Sequence, residues 1–188
     1  MQINIPNLLT WLRILAIPLV VGVFYLPDAW LAAHEKNQAA TVLFVLAALT
    51  DWLDGWLARK LNQQSAFGAF LDPVADKLMV AAALIVLVQL HRCDGLIALI
   101  IIGREIAISA LREWMAQLGQ GKSVAVNALG KIKTIVQMVA IPLLLYHDNF
   151  LGLFEAQVLG DWSIWAAAVL TLVSMAYYLK AAMPMLRR

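Results

Sequence analysis

Residues 41–60 read TVLFVLAALTDWLDGWLARK. The first half has the character of a membrane-crossing helix, yet Asp51, Asp54 and Arg59 interrupt it before it is clear of a bilayer. Charges at such depth are costly and mark function more often than packing. On a helix, Asp51 and Asp54 are i and i+3, which puts their Cβ atoms roughly 5–6 Å apart on one face. Gly55 and Ala58 continue that face at i+4 and i+7 from Asp51. Two carboxylates beside two very small residues leave room for a ligand to approach the backbone.

The rest of the chain supports a bilayer as the solvent. Of its 188 residues, 63% are hydrophobic and 14% charged, with a mean hydropathy of +0.79. A soluble domain has about 45–50% apolar and about 25% charged residues. The length suits a single domain, residues 1–188, without a separate soluble one. Cys93 is the only cysteine, which excludes an intrachain disulfide. The opening MQINIPN has no basic segment ahead of its apolar run and reads as the start of a span rather than a signal peptide.

A crossing helix needs about 20 mostly apolar residues. Six segments qualify, at about 8–26, 38–58, 74–91, 95–114, 130–147 and 162–182. Backbone polar groups in lipid must be satisfied internally, which leaves helices or a closed barrel. These runs are too long and continuous for barrel strands. The expected fold is all-α, a polytopic membrane protein built as a bundle of six transmembrane helices. Basic residues orient it. Lys36 and Arg92 are the only two near the first, third and fifth connections, and Arg104 lies inside a span. Arg13, Arg59, Lys60, Lys77, Arg112, Lys122, Lys131, Lys133, Lys180, Arg187 and Arg188 make eleven on the other side. By the positive-inside rule both termini and residues 51–60 face the cytoplasm. Trp11, Trp30, Trp114 and Trp162 fall near span ends, as interfacial tryptophans do.

The next span opens with GAFLDPVADK, residues 68–77. Asp72 and Asp76 are i and i+4 on one face, and Gly68 lies one turn before Asp72. A short connection makes the two helices antiparallel neighbours, so four carboxylates converge near the cytoplasmic mouth. Carboxylates that close repel one another and raise their own pKa values, so a proton, a lysine or a metal must neutralise them. Oxygen-only ligands favour hard cations such as Mg²⁺ or Mn²⁺. His34, His91, His147 and Cys93 all map to the opposite side, which argues against a zinc site. Two ions about 3.5–4 Å apart, bridged by shared carboxylates, would suit an in-line displacement at phosphorus. Packing alone does not account for the cluster. An aspartate at a helix centre costs about 2.5–3.5 kcal/mol on insertion scales, whereas a buried intramembrane polar contact returns about 0.6 kcal/mol.

Asp51-x-x-Asp54-Gly55-x-x-Ala58-Arg59, eight residues, Gly68-x-x-x-Asp72-x-x-x-Asp76 matches the signature of the CDP-alcohol phosphotransferases at every fixed position. The chain therefore resembles that family of six-helix membrane enzymes, which transfer a phosphatidyl or related group from a CDP-linked donor to an alcohol and release CMP. IPNLLTWLRI, GREIAISALREW and GKIKT resemble the branch whose acceptor is sn-glycerol 3-phosphate and whose donor is CDP-diacylglycerol. The resemblance implies that Asp51, Asp54, Asp72 and Asp76 hold one or two Mg²⁺ or Mn²⁺ ions. Asp76, the family's last aspartate, is implied to be the base. It further implies that Asn7, Thr10, Gly55, Ala58, Arg59 and Gly68 bind the donor. Homodimers are common in the family, and the implied location is the cytoplasmic (inner) membrane of a bacterium.

An acceptor carrying a phosphate needs its own cationic pocket. Arg104 is the sharpest candidate because its depth has no other evident rationale, although Glu105 is a ready partner for it. Arg112, Lys131 and Lys133 surround the cytoplasmic ends of the fourth and fifth spans and are candidates for the same phosphate or for anionic lipid headgroups. The expected partners are the two substrates and membrane lipids, with no nucleic acid. The sequence admits two rivals: a relative taking serine or inositol, and a cation or proton transporter. A transporter would need polar residues continuing to the far side of the bundle, and the third and sixth spans are nearly free of them deeper in.

Overall fold

The protein is described by a computed structural model covering residues 5–60, 66–119, 128–150 and 152–186. Among these residues the architecture is helical. The helices are α1 (Ile5–Gly22), α2 (Ala33–Lys60), α3 (Ala66–Gln89), α4 (Gly95–Gln117), α5 (Ala128–Tyr146) and α6 (Ala156–Leu186). A 3-10 turn, Val23–Tyr25, follows α1. A minimal antiparallel hairpin, β1 (Asn149–Phe150) and β2 (Phe154–Glu155), precedes α6, with Phe150 opposite Phe154. The hairpin was not expected; its two-residue strands are too short for an alternating pattern to reveal. Helices α2, α3 and α6 also begin five to eight residues ahead of the expected apolar segments, because polar residues extend a helix without extending a hydrophobic run.

Local chemistry sets the helix ends. Glu35 Oε2 accepts the Ala32 N–H at 2.7 Å, satisfying one of the orphan donors that open α2. Asp94, in extended conformation, accepts the Leu96 N–H at 2.7 Å and caps α4. At the end of α3, His91 takes a left-handed φ of 57°. The His91 N–H then returns to the Val88 carbonyl and the Arg92 N–H to the Leu87 carbonyl, the two bonds of a Schellman ending. His147 closes α5 with a φ of 63° and a bond to the Leu143 carbonyl. Arg92 Nη1 donates to the Leu145 carbonyl at 2.9 Å, placing a cation at the negative end of α5.

The interior is built from small residues. Ala40, Ala47, Ala75, Ala83, Ala140, Ala167 and Ala168 are buried among Phe44, Leu84, Leu87, Ile101, Ile141 and Leu144. Small side chains let helix backbones approach where no water-driven collapse pulls them together. Helices α5 and α6 pack most extensively. At their contact a Cβ on Gly160 would stand 2.8 Å from Leu144 Cγ and 3.2 Å from its backbone nitrogen.

The outer surface is apolar. Leu12, Leu15 and Leu19 of α1, Ile85 of α3, Leu99 and Ile106 of α4, Ile135 of α5 and Val169 of α6 are all exposed. So are Trp11, Trp30, Trp114 and Trp162. Continuous exposed apolar surface of this extent needs lipid or a partner to cover it. Among the described residues two helical stretches, Leu8–Tyr25 and Ala156–Met183, are long and apolar enough to cross a membrane, with mean hydropathies of 2.0 and 1.5.

Candidate active site

Helix α1 joins the acidic pairs of α2 and α3. Thr10 and Arg13 lie three residues apart, on one face. The Thr10 hydroxyl donates to Asp72 Oδ1 at 2.5 Å, and Arg13 Nη1 stands 2.5 Å from Asp51 Oδ1. Adjacent side chains of one helical turn therefore touch a carboxylate from each of the two neighbouring helices, bringing Asp51 and Asp72 to the same level. Arg13 is one of the largest fully buried side chains, whereas the Asp51 side chain is 43% exposed. Burying a guanidinium requires a fixed counter-charge, and Asp51 supplies it.

Asp76 lies one turn further along α3 and faces a cavity of about 230 Å³. Arg104, Glu105, Ile108, Ser109 and Arg112 of α4 line it together with Pro73 and Lys77, Gly130 and Thr134 of α5, and Tyr178 of α6. Arg104 is buried and held on two sides. Its Nη2 donates to Ser174 Oγ at 3.1 Å, and its guanidinium lies 5.6 Å from the centre of the Tyr178 ring. Ser174 in turn donates to the Thr171 carbonyl at 2.9 Å. Arg104 Nε is itself buried and has no hydrogen-bond partner among the described residues. Arg112 is exposed and also lines a neighbouring, more open groove with Phe70, Val74 and Glu113, so it stands where the cavity meets the surface.

The expected acceptor cations therefore separate. Arg104 and Arg112 share the cavity with Asp76; Lys131 is exposed and does not line it. Lys133 is wholly buried, with its ammonium on Glu105 Oε1, and is not a lining residue. Glu105 Oε1 also receives Arg104 Nη1 at 3.5 Å. Gly68 is buried on α3, and Thr10 is buried with its hydroxyl engaged by Asp72. The side chains of Asn7, Asp54, Gly55, Ala58 and Arg59 lie outside the described residues, although their positions fall within α1 and α2. With Asp54 outside, no group of three or more acidic, histidine or cysteine side chains among the described residues is close enough to hold an ion. The donor chemistry nevertheless suits a hard divalent cation: the facing groups are carboxylate oxygens, and Asp51 already draws a cation in Arg13.

Sequence reasoning missed Arg13, Ser174 and Tyr178 as parts of the site, and read Glu105 only as a partner for Arg104. A signal existed for Ser174 and Tyr178. Thr171, Ser174 and Tyr178 recur at three- and four-residue spacing on an otherwise apolar helix, and all are buried. Burial, Asp94 and Asp161 push the Cys93 thiol up to about 11, which disfavours the reactive thiolate.

Residues 3–173 match the family model described as CDP-alcohol phosphatidyltransferase. Among curated proteins, the chain is similar to the CDP-diacylglycerol–glycerol-3-phosphate 3-phosphatidyltransferases of Salmonella choleraesuis (strain SC-B67), Shigella flexneri serotype 5b (strain 8401) and Escherichia coli (strain K12). Each is 50% identical over 184 residues, covering 97% of this chain and 96% of the relative.

Proposed function

The chain belongs to the CDP-alcohol phosphatidyltransferase family, and on that premise we propose that it transfers the phosphatidyl group of CDP-diacylglycerol to sn-glycerol 3-phosphate, releasing CMP. The observation that carries this reading is the cavity in which Asp76 stands with Arg104 and Arg112. A base beside two guanidiniums is what a small acceptor with a hydroxyl and a phosphate requires. At about 230 Å³ the cavity lies below the roughly 300–1,000 Å³ of a drug-sized pocket. That size suits the acceptor and leaves the two-tailed donor outside.

In this reading Arg112 receives the acceptor phosphate at the mouth and Arg104 holds it deeper in the cavity. Asp76 takes the proton of the acceptor hydroxyl. The freed oxygen forms a bond to the phosphorus bearing diacylglycerol as the bond to CMP breaks. Asn7, Gly55, Ala58 and Arg59 contact the CMP half, and Thr10 orients Asp72. Asp51, Asp54, Asp72 and Asp76 would hold one or two Mg²⁺ or Mn²⁺ ions. A bound ion would neutralise the pyrophosphate and stabilise the departing CMP. Lys131 and Lys133 then serve other ends, the former at the surface and the latter as an internal ion-pair partner.

All six helices span the membrane in this proposal, as one domain with both termini and the site at the cytoplasmic face of a bacterial inner membrane. The donor's tails stay in lipid while its headgroup meets a water-soluble acceptor. The test is CMP release by purified protein given CDP-diacylglycerol and, in turn, sn-glycerol 3-phosphate, serine and inositol. Release is expected with glycerol 3-phosphate alone, lost in EDTA, and restored by Mg²⁺ or Mn²⁺. Near-normal turnover by Asp72→Asn, or equal release with serine, would overturn the reading.

A further inference from the structure

Glu105 sits at the cavity wall between the two cations that flank it. Both of its protein contacts, Lys133 Nζ and Arg104 Nη1, fall on the same oxygen, Oε1. The other oxygen, Oε2, makes no hydrogen bond among the described residues, on a side chain that is 22% exposed and lines the cavity. A carboxylate serving only as a buried counter-ion would spread two cations over two oxygens. Here one oxygen holds both cations and the other is left over, on a side chain that lines the same cavity as Asp76, Arg104 and Arg112.

We infer that Glu105 is a specificity-determining residue of the acceptor pocket, its Oε2 accepting a hydrogen bond from the acceptor hydroxyl that does not react. The inference rests on the function proposed above and deepens it. With the phosphate on Arg104 and Arg112 and the reacting hydroxyl on Asp76, a phosphorylated polyol has its middle hydroxyl left to place, and Glu105 is the remaining acidic group on the wall.

The test compares sn-glycerol 3-phosphate with 3-hydroxypropyl phosphate, which keeps the phosphate and the primary hydroxyl but lacks the middle one. Removing one partner of a hydrogen bond in a water-poor site leaves the other unsatisfied, so wild-type kcat/KM should fall about tenfold or more with the deoxy acceptor. In Glu105→Gln the two cations turn the amide oxygen toward themselves, which leaves an NH₂ that can donate to the hydroxyl oxygen but replaces a charge-assisted bond with a weaker neutral one. The ratio between the acceptors should then shrink from about tenfold to about threefold. A change in pocket charge or packing would move both acceptors together and leave the ratio intact. Glu105→Asp, which keeps the charge but withdraws the carboxylate by one methylene, should also reduce the ratio and serves if the glutamine variant does not insert. Equal use of both acceptors by the wild type, or undiminished discrimination in either variant, overturns the inference. If the wild type releases no CMP with either acceptor, the proposed function falls first and this inference with it.

Discussion

The Arg13–Asp51 pair makes an asymmetric prediction about stability. The Arg13 side chain is 1% exposed and that of Asp51 43%, so the two halves of one ion pair sit in different solvents. Asp51→Ala leaves a buried guanidinium without its counter-ion, and breaking a buried pair in this way costs about 3–5 kcal/mol. Arg13 keeps other interactions, which places the loss near the lower figure. Arg13→Met removes the buried charge itself and fills most of its volume, while Asp51 is free to hydrate. That loss resembles breaking an exposed pair, about 1 kcal/mol or less. The difference of about 2 kcal/mol corresponds to about 4–8 °C in Tm for a chain of this size. Thermal melts of the detergent-purified variants, run in EDTA so that no cation substitutes for Arg13, measure it. Both variants should fall below wild type, Asp51→Ala clearly further. Equal losses, or a larger loss for Arg13→Met, would refute the argument that solvent access to Asp51 governs the pair.

Three other outcomes follow from the geometry. Arg112→Ala should raise the KM for glycerol 3-phosphate several-fold more than that for CDP-diacylglycerol, because Arg112 stands at the mouth of the small cavity; equal effects on both would remove it from the acceptor pocket. Gly160→Ala places a methyl 2.8 Å from Leu144 Cγ. Overpacking costs about 1–3 kcal/mol against a helix-propensity gain of about 1, so a net loss of about 1 kcal/mol is expected in melts; in a Leu144→Ala background, itself destabilised by its cavity, adding Gly160→Ala should cost nothing further. Cys93, with its thiol pushed up to about 11, should carry about one thiolate per thousand molecules at pH 8. Alkylation should be far slower than for a free thiol at that pH and rise steeply above pH 10.

What the sequence alone determined was local. Hydrophobic runs of span length, their polar punctuation and the spacing of Asp51, Asp54, Asp72 and Asp76 all depend on contacts within a turn or two of one helix, where period and side-chain direction are set by backbone geometry. The helical class and the family resemblance were therefore legible without coordinates, whereas the meeting of Asp51 and Asp72 through Arg13 and Thr10 of α1 was not. Which cation meets which anion was not, because that depends on the rotation and depth of helices far apart in the chain. Arg13 counted in the sequence as one more cytoplasmic charge, yet packing of α1 against α2 buries it on Asp51. Arg104 stood out in the sequence as a phosphate ligand for its depth, and Lys133 was a further candidate for the same phosphate. The approach of α5 to α4 commits Lys133 to Glu105, and α6 brings Ser174 and Tyr178 around Arg104. A buried charge must find its partner within a few ångströms, and only the tertiary structure decides which side chains come that close.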